Sequence, residues 1–165
     1  IPKRFSIIVA GAIVNIIFGI LAYMILIAVN FYINVEANLI NSLSYAISST
    51  GTLIYAMFDS IIQLFSGNVS INDMVGPVGI SQMVSETNGI SQFIYLLSII
   101  SVSLGITNLL PFVPLDGGKA LLLIIEAIRK KPLKQETELR LQSAGFFILI
   151  VFSAFVAYND ILRII

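Results

Sequence analysis

The stretch Asn108-Leu109-Leu110-Pro111-Phe112-Val113-Pro114-Leu115-Asp116-Gly117-Gly118 decides how this 165-residue chain is read. It places one carboxylate, Asp116, between two apolar runs. Phe93 to Leu110 holds no charged residue, and Ala120 to Ile125 is apolar throughout. An ionised Asp at membrane depth costs at least ~2.5–3.5 kcal/mol on insertion scales, so it needs a partner, and a metal ion is the strongest candidate. Pro111 and Pro114 break the helical ladder just before Asp116, and Gly117 and Gly118 follow it. Interrupted backbone at this depth is stable only where protein or a water-filled cavity surrounds it. The stretch therefore marks a polar site inside a membrane protein.

Composition agrees. The chain is 58% hydrophobic and 11% charged, whereas a soluble domain is nearer half apolar and a quarter charged. Its net charge is zero, so no basic surface argues for a nucleic-acid partner. There is no Cys, which excludes disulfides and thiolate chemistry, and no His, which excludes a Ser-His triad or an imidazole zinc site built from this chain alone. Trp is absent as well, leaving Tyr and Phe for the membrane interfaces.

The expected fold is an all-α membrane protein. It has three transmembrane helices, an outer amphipathic helix and a broken, motif-bearing helix in one membrane domain. Span one covers 5–32, span two 91–110 with the motif at 108–118, and span three 143–161; each approaches or exceeds the ~20 residues a hydrocarbon core requires. Gly11 and its small neighbours should let span one pack closely on another helix, and Asn15 should make an interhelical hydrogen bond. Between spans one and two lies an outer segment, 34–90. Within it, 43–65 reads as a helix lying on the surface or in a substrate groove, with a fourth span as the alternative. Gly67-Asn68, Asn72-Asp73 and Gly76-Pro77 read as turns or loop.

Orientation follows from the basic residues. Eight of the nine Lys and Arg residues flank the start of span one or lie between spans two and three, and the outer segment has none. The positive-inside tendency then puts those regions, and Asp116 with them, toward the cytoplasm. A cell-membrane, multi-pass location is expected, with the bilayer as a partner.

Read together, these residues resemble the site-2 protease family, the intramembrane zinc metalloproteases. Asn108-Leu109-Leu110-Pro111 with Pro114-Leu115-Asp116-Gly117-Gly118 is similar to the family's NxxPxxxLDG motif. Gly76-Pro77-Val78-Gly79-Ile80 resembles the segment before the motif-bearing helix in the bacterial branch. Lys3-Arg4-Phe5 and Ala10-Gly11-Ala12-Ile13-Val14-Asn15 resemble the family's AGPxxN helix, with Ala12 where proline is usual. Tyr158-Asn159-Asp160-Ile161 resembles the C-terminal ending.

The resemblance implies that Asp116 is the third zinc ligand beside two His of an HExxH helix, whose Glu is the general base. It implies that Asn108 is catalytic, holding substrate or the developing oxyanion. Pro111, Pro114, Leu115, Gly117 and Gly118 would shape the motif, and the substrate would be a transmembrane protein cleaved in regulated intramembrane proteolysis. The bland alternatives stay open: Asp116 as a helix N-cap, Asn108 as a helix-packing donor. The HExxH helix is missing from these residues, and about ten residues after Tyr32 leave no room for the PDZ domain that many bacterial members carry. The expectation is a fragment or excised chain, inactive alone, that needs the missing helix as its partner. A non-catalytic, helix-binding homologue is the alternative. A small transporter subunit would also bury an Asp but would not explain the motif with its flanks.

Overall fold

The structure, a computed structural model, describes residues 2–35, 38–67 and 74–164. Among them are six helices and no strand: α1 Pro2–Val35, α2 Leu39–Phe65, α3 Pro77–Ser85, α4 Ile90–Asn108, α5 Asp116–Arg129 and α6 Gln135–Ile164. α1, α4 and α6 are long and apolar enough to cross a membrane. The chain is thus an all-α membrane protein with the three expected spans. Asn68, Asn72 and Asp73 lie outside the described residues.

The centre of the fold is the antiparallel pair α1–α4. Small residues bring the two backbones together, as is usual where lipid removes the hydrophobic drive between helices. A Cβ on Gly19 would stand 2.5 Å from Val102 Cγ2 and 2.7 Å from the Ser98 carbonyl oxygen; one on Gly105 would stand 2.7 Å from the Ala12 carbonyl oxygen. Ala12, Ser98 and Val102 are fully buried in the seam. Ser101 Oγ donates to the Asn15 carbonyl oxygen at 3.2 Å, and the Tyr23 and Tyr95 rings meet at 5.8 Å. Gly11, expected in a helix contact, faces open space instead. Helical periodicity turns residues 12, 16, 19 and 23 toward α4, and residue 11 falls outside that stripe.

α2 starts at an Asn38 cap, whose side chain accepts from the Asn41 N–H at 2.9 Å. Ser42, Ala46 and Thr50, spaced by four, form its buried stripe, and Phe31 of α1 stacks on Tyr45 at 4.4 Å. The helix continues beside the bundle. Its second half, Leu53 to Leu64, faces Ile99 to Thr107 of α4 across a cavity of about 670 Å³. α2 therefore extends beside α4 as far as Thr107, one residue before Asn108.

α3 is joined to α6 by a buried carboxylate. Asp160 of α6 is 0% exposed. Its Oδ2 accepts from the N–H groups of Gly76 at 3.0 Å and Gly79 at 2.8 Å, satisfying donors that the first turn of α3 leaves open. Arg163 lies 3.4 Å from its other oxygen. A Cβ on Gly76 would stand 2.8 Å from that carboxylate, so the glycine is what admits it.

Asp160→Ala should destabilise the protein by roughly 2–4 kcal/mol, because two buried N–H groups lose their acceptor. Asp160→Asn, which keeps an acceptor oxygen, should cost less. Thermal unfolding in detergent measures both. A loss within about 0.5 kcal/mol for Asp160→Ala, typical of an inert surface site, would show that the clasp contributes little.

Candidate metal and catalytic site

α4 ends at Asn108, and α5 begins at Asp116. The turn between them folds on itself. The Leu109 and Leu110 N–H groups bond back to the carbonyls of Ile106 and Thr107; Phe112 donates to Leu110 at 2.7 Å and Leu115 to Phe112 at 2.8 Å. The Val113–Pro114 peptide is cis. Pro111 and Pro114 lack a backbone donor, so the helix cannot run through them.

Glycines let this turn lie flat on α5. A Cβ on Gly117 would overlap the carbonyls of Leu109 and Leu110, and one on Gly118 would stand 2.5 Å from the Phe112 carbonyl oxygen and the Val113 nitrogen. The first turn of α5 thus rests against the residues just after Asn108. The structure brings the two ends of the motif together, and Asn108 is half-buried beside them.

Asp116 is the first helical residue of α5, and its N-cap is Leu115, which has no side chain able to cap. Asp116 is therefore not the capping residue. Its charge sits at the positive end of the helix dipole. Among the described residues its one ion-pair partner is Lys119, at a loose 3.9 Å, the two side chains being 35% and 39% exposed. An exposed pair of this kind is worth little. The carboxylate is accessible and weakly engaged, as a ligand must be before it meets a metal. Lys119 also lines a cavity of about 250 Å³ with Arg4, Ile7 and Ile8 of α1 and Leu122 and Leu123 of α5.

Zinc takes Cys, His and carboxylate ligands, with three from protein at catalytic sites. The chain has no His or Cys, and among the described residues no three potential ligands cluster. Asp116 fits as one ligand of such a set and does not complete it. Asn15 contributes its backbone carbonyl to the α1–α4 seam. Sequence reasoning missed Gly145 of α6, whose Cβ would overlap the Val113 carbonyl oxygen. A lone glycine inside an apolar helix was the available signal.

The model of peptidase family M50 matches residues 1–152. The chain belongs to peptidase family M50. This is the site-2 protease family. Zinc metalloprotease RasP of Bacillus licheniformis is 36% identical over 135 residues, 81% of this chain and 32% of the relative. Zinc metalloprotease RasP of Shouchella clausii is 34% identical over 131 residues, 78% of this chain and 31% of the relative. The chain spans about a third of the length of these curated relatives.

Gly118→Ala should lower stability by roughly 1–3 kcal/mol, since the added methyl meets backbone that cannot rotate away. Gly11→Ala, with open space around it, should be neutral or raise stability by ~0.5–1 kcal/mol through helix propensity. Paired thermal melts test the contrast, and equal effects would contradict the tight turn.

Proposed function

We propose that this chain is part of an intramembrane zinc metalloendopeptidase that cleaves transmembrane helices in regulated intramembrane proteolysis. The observation that carries the reading is the presentation of Asp116 at the head of α5 by an interrupted backbone, in a chain of peptidase family M50. Asp116 is the third metal ligand, and the His ligands and the Glu base come from an HExxH helix that these residues do not include. The chain alone is inactive on this reading. When bound, zinc lowers the pKa of a coordinated water and polarises a carbonyl.

The chain's own groups perform the rest. Asp116 adds a negative charge at the head of α5, where it can meet a cation. Asn108 offers a neutral amide donor at the inner end of α4, suited to hold a substrate carbonyl as it gains charge. The cavity between α2 and α4 ends at Thr107, next to Asn108. A transmembrane helix must unwind before its peptide bond can be attacked, and the freed backbone groups then need partners. Ser60, Gln63, Ser103 and Thr107 line the cavity and supply them, among Leu and Ile side chains that suit an apolar segment. Basic residues near the α1 start and between α4 and α6 orient the motif toward the cytoplasm.

A second reading is a non-catalytic, helix-binding relative. Metal content separates the two. In the complete enzyme, Asp116→Asn should abolish both zinc retention and cleavage of a membrane substrate while folding and insertion persist. Asn108→Ala should keep zinc and lose ~10²–10³ in rate, the usual loss on removing one oxyanion donor. Normal zinc content and cleavage in Asp116→Asn would refute the ligand role; a wild-type protein that binds helices without zinc would favour the second reading.

Sidedness has its own test. Single cysteines at Asn88 and Lys131, in a chain without native Cys, should react with an impermeant maleimide from opposite sides of the membrane, Lys131 from the cytoplasm. Labelling of both from one side would reject the orientation.

A further inference from the structure

We infer that Gly145 of α6 is a positioning residue for Asp116, acting through the Phe112–Pro114 backbone. The inference rests on the proposed ligand role of Asp116.

Gly145 is buried, and its Cα faces the carbonyl of Val113. A Cβ there would overlap the Val113 carbonyl oxygen, lie 2.5 Å from its carbon and lie 3.0 Å from Pro114 Cδ. Gly118 makes a matching contact with Phe112 and Val113. Two glycines thus meet the turn, one in the first turn of α5 close to Asp116, the other on α6. Both obstacles at Gly145 belong to backbone or a proline ring, so no side chain can rotate to make room.

Near its other end α6 is tied to the head of α3, where Asp160 accepts two backbone hydrogen bonds. Its neighbours Phe146 and Phe147 are exposed, so the contact with the turn is what distinguishes position 145 from the rest of the helix there. A glycine in mid-helix weakens the helix relative to alanine. The close approach to Val113 is the gain that offsets it. An added methyl must push the Val113 carbonyl, and with it the Gly118 backbone and the direction of the Asp116 carboxylate. Ligation is sensitive to such displacement, and groups that orient a metal ligand typically change affinity 10–100-fold when altered.

The test compares Gly145→Ala with Gly11→Ala in the complete enzyme, each also carrying a single cysteine at Phe112 on the turn. Gly145→Ala should weaken zinc affinity by ~10–100-fold, change the maleimide labelling rate at Phe112→Cys and lower the thermal midpoint, since its methyl also meets backbone, as at Gly118. Gly11→Ala should move neither zinc affinity nor labelling. Unchanged labelling, or changed labelling with parental zinc affinity, overturns the inference. Labelling that shifts in a protein whose parent holds no zinc refutes the metal reading while leaving the placement of the turn by Gly145 supported. Should Gly145→Ala fail to accumulate, the double variant with Pro114→Ala decides. Accumulation regained by loosening the turn supports the inference, and continued absence overturns it.

Discussion

The backbone between Leu109 and Pro114 is met by three glycines, Gly117 and Gly118 of α5 and Gly145 of α6, so closely that none of the three has space for a Cβ. Everything that makes the site chemically distinctive follows from this contact. The prolines stop α4, but stopping a helix only frees the chain to wander. Three Cα atoms carrying only hydrogen convert the stop into a fixed reversal. That reversal sets Asp116 at the head of a new helix and leaves Asn108 at the tail of the old one. Interrupted backbone inside a bilayer must find its partners within the protein. Here it finds them in short bonds of its own and in the close cover of two helices.

The α1–α4 seam solves a related problem by similar means. Lipid tails compete with Leu and Ile for apolar contacts, so association depends on close backbone approach rather than on burial from water. Gly19 and Gly105 stand at complementary heights on the two helices, and Ala12, Ser98 and Val102 fill the space between. Many of the large apolar side chains point outward. In a soluble protein that distribution would be an aggregation hazard; here it is the surface lipid covers.

Much of this was legible in the sequence, for identifiable reasons. Hydropathy is a sum over many residues, so the three spans emerge whatever the details of packing. The motif was legible because prolines, glycines and a carboxylate are rare inside apolar chain, and each has one dominant physical meaning. Residue-level packing was not legible in the same way. Gly11 looked as suitable as Gly19 for a helix contact, and only the phase of the helix separates them. Gly145 escaped notice, and the part Asp160 plays could not be read, because their meaning depends on partners distant in sequence. The Asp160 bond to Gly76 joins residues 84 positions apart. The Gly76-Pro77-Val78-Gly79 and Tyr158-Asn159-Asp160 stretches were each visible, yet nothing local says that one supplies the acceptor for the other.

That pairing bears on how the protein is made. Ribosomal synthesis is directional, and the segment around α3 emerges long before the end of α6. Until Asp160 arrives, the open N–H groups at Gly76 and Gly79 have water or lipid headgroups as their available partners. The head of α3 is therefore completed last, although it is made early. A chain that stops short of the end of α6 leaves two N–H groups at the start of α3 without the acceptor that the finished fold gives them, so the seating of the last helix is registered at a helix made long before it.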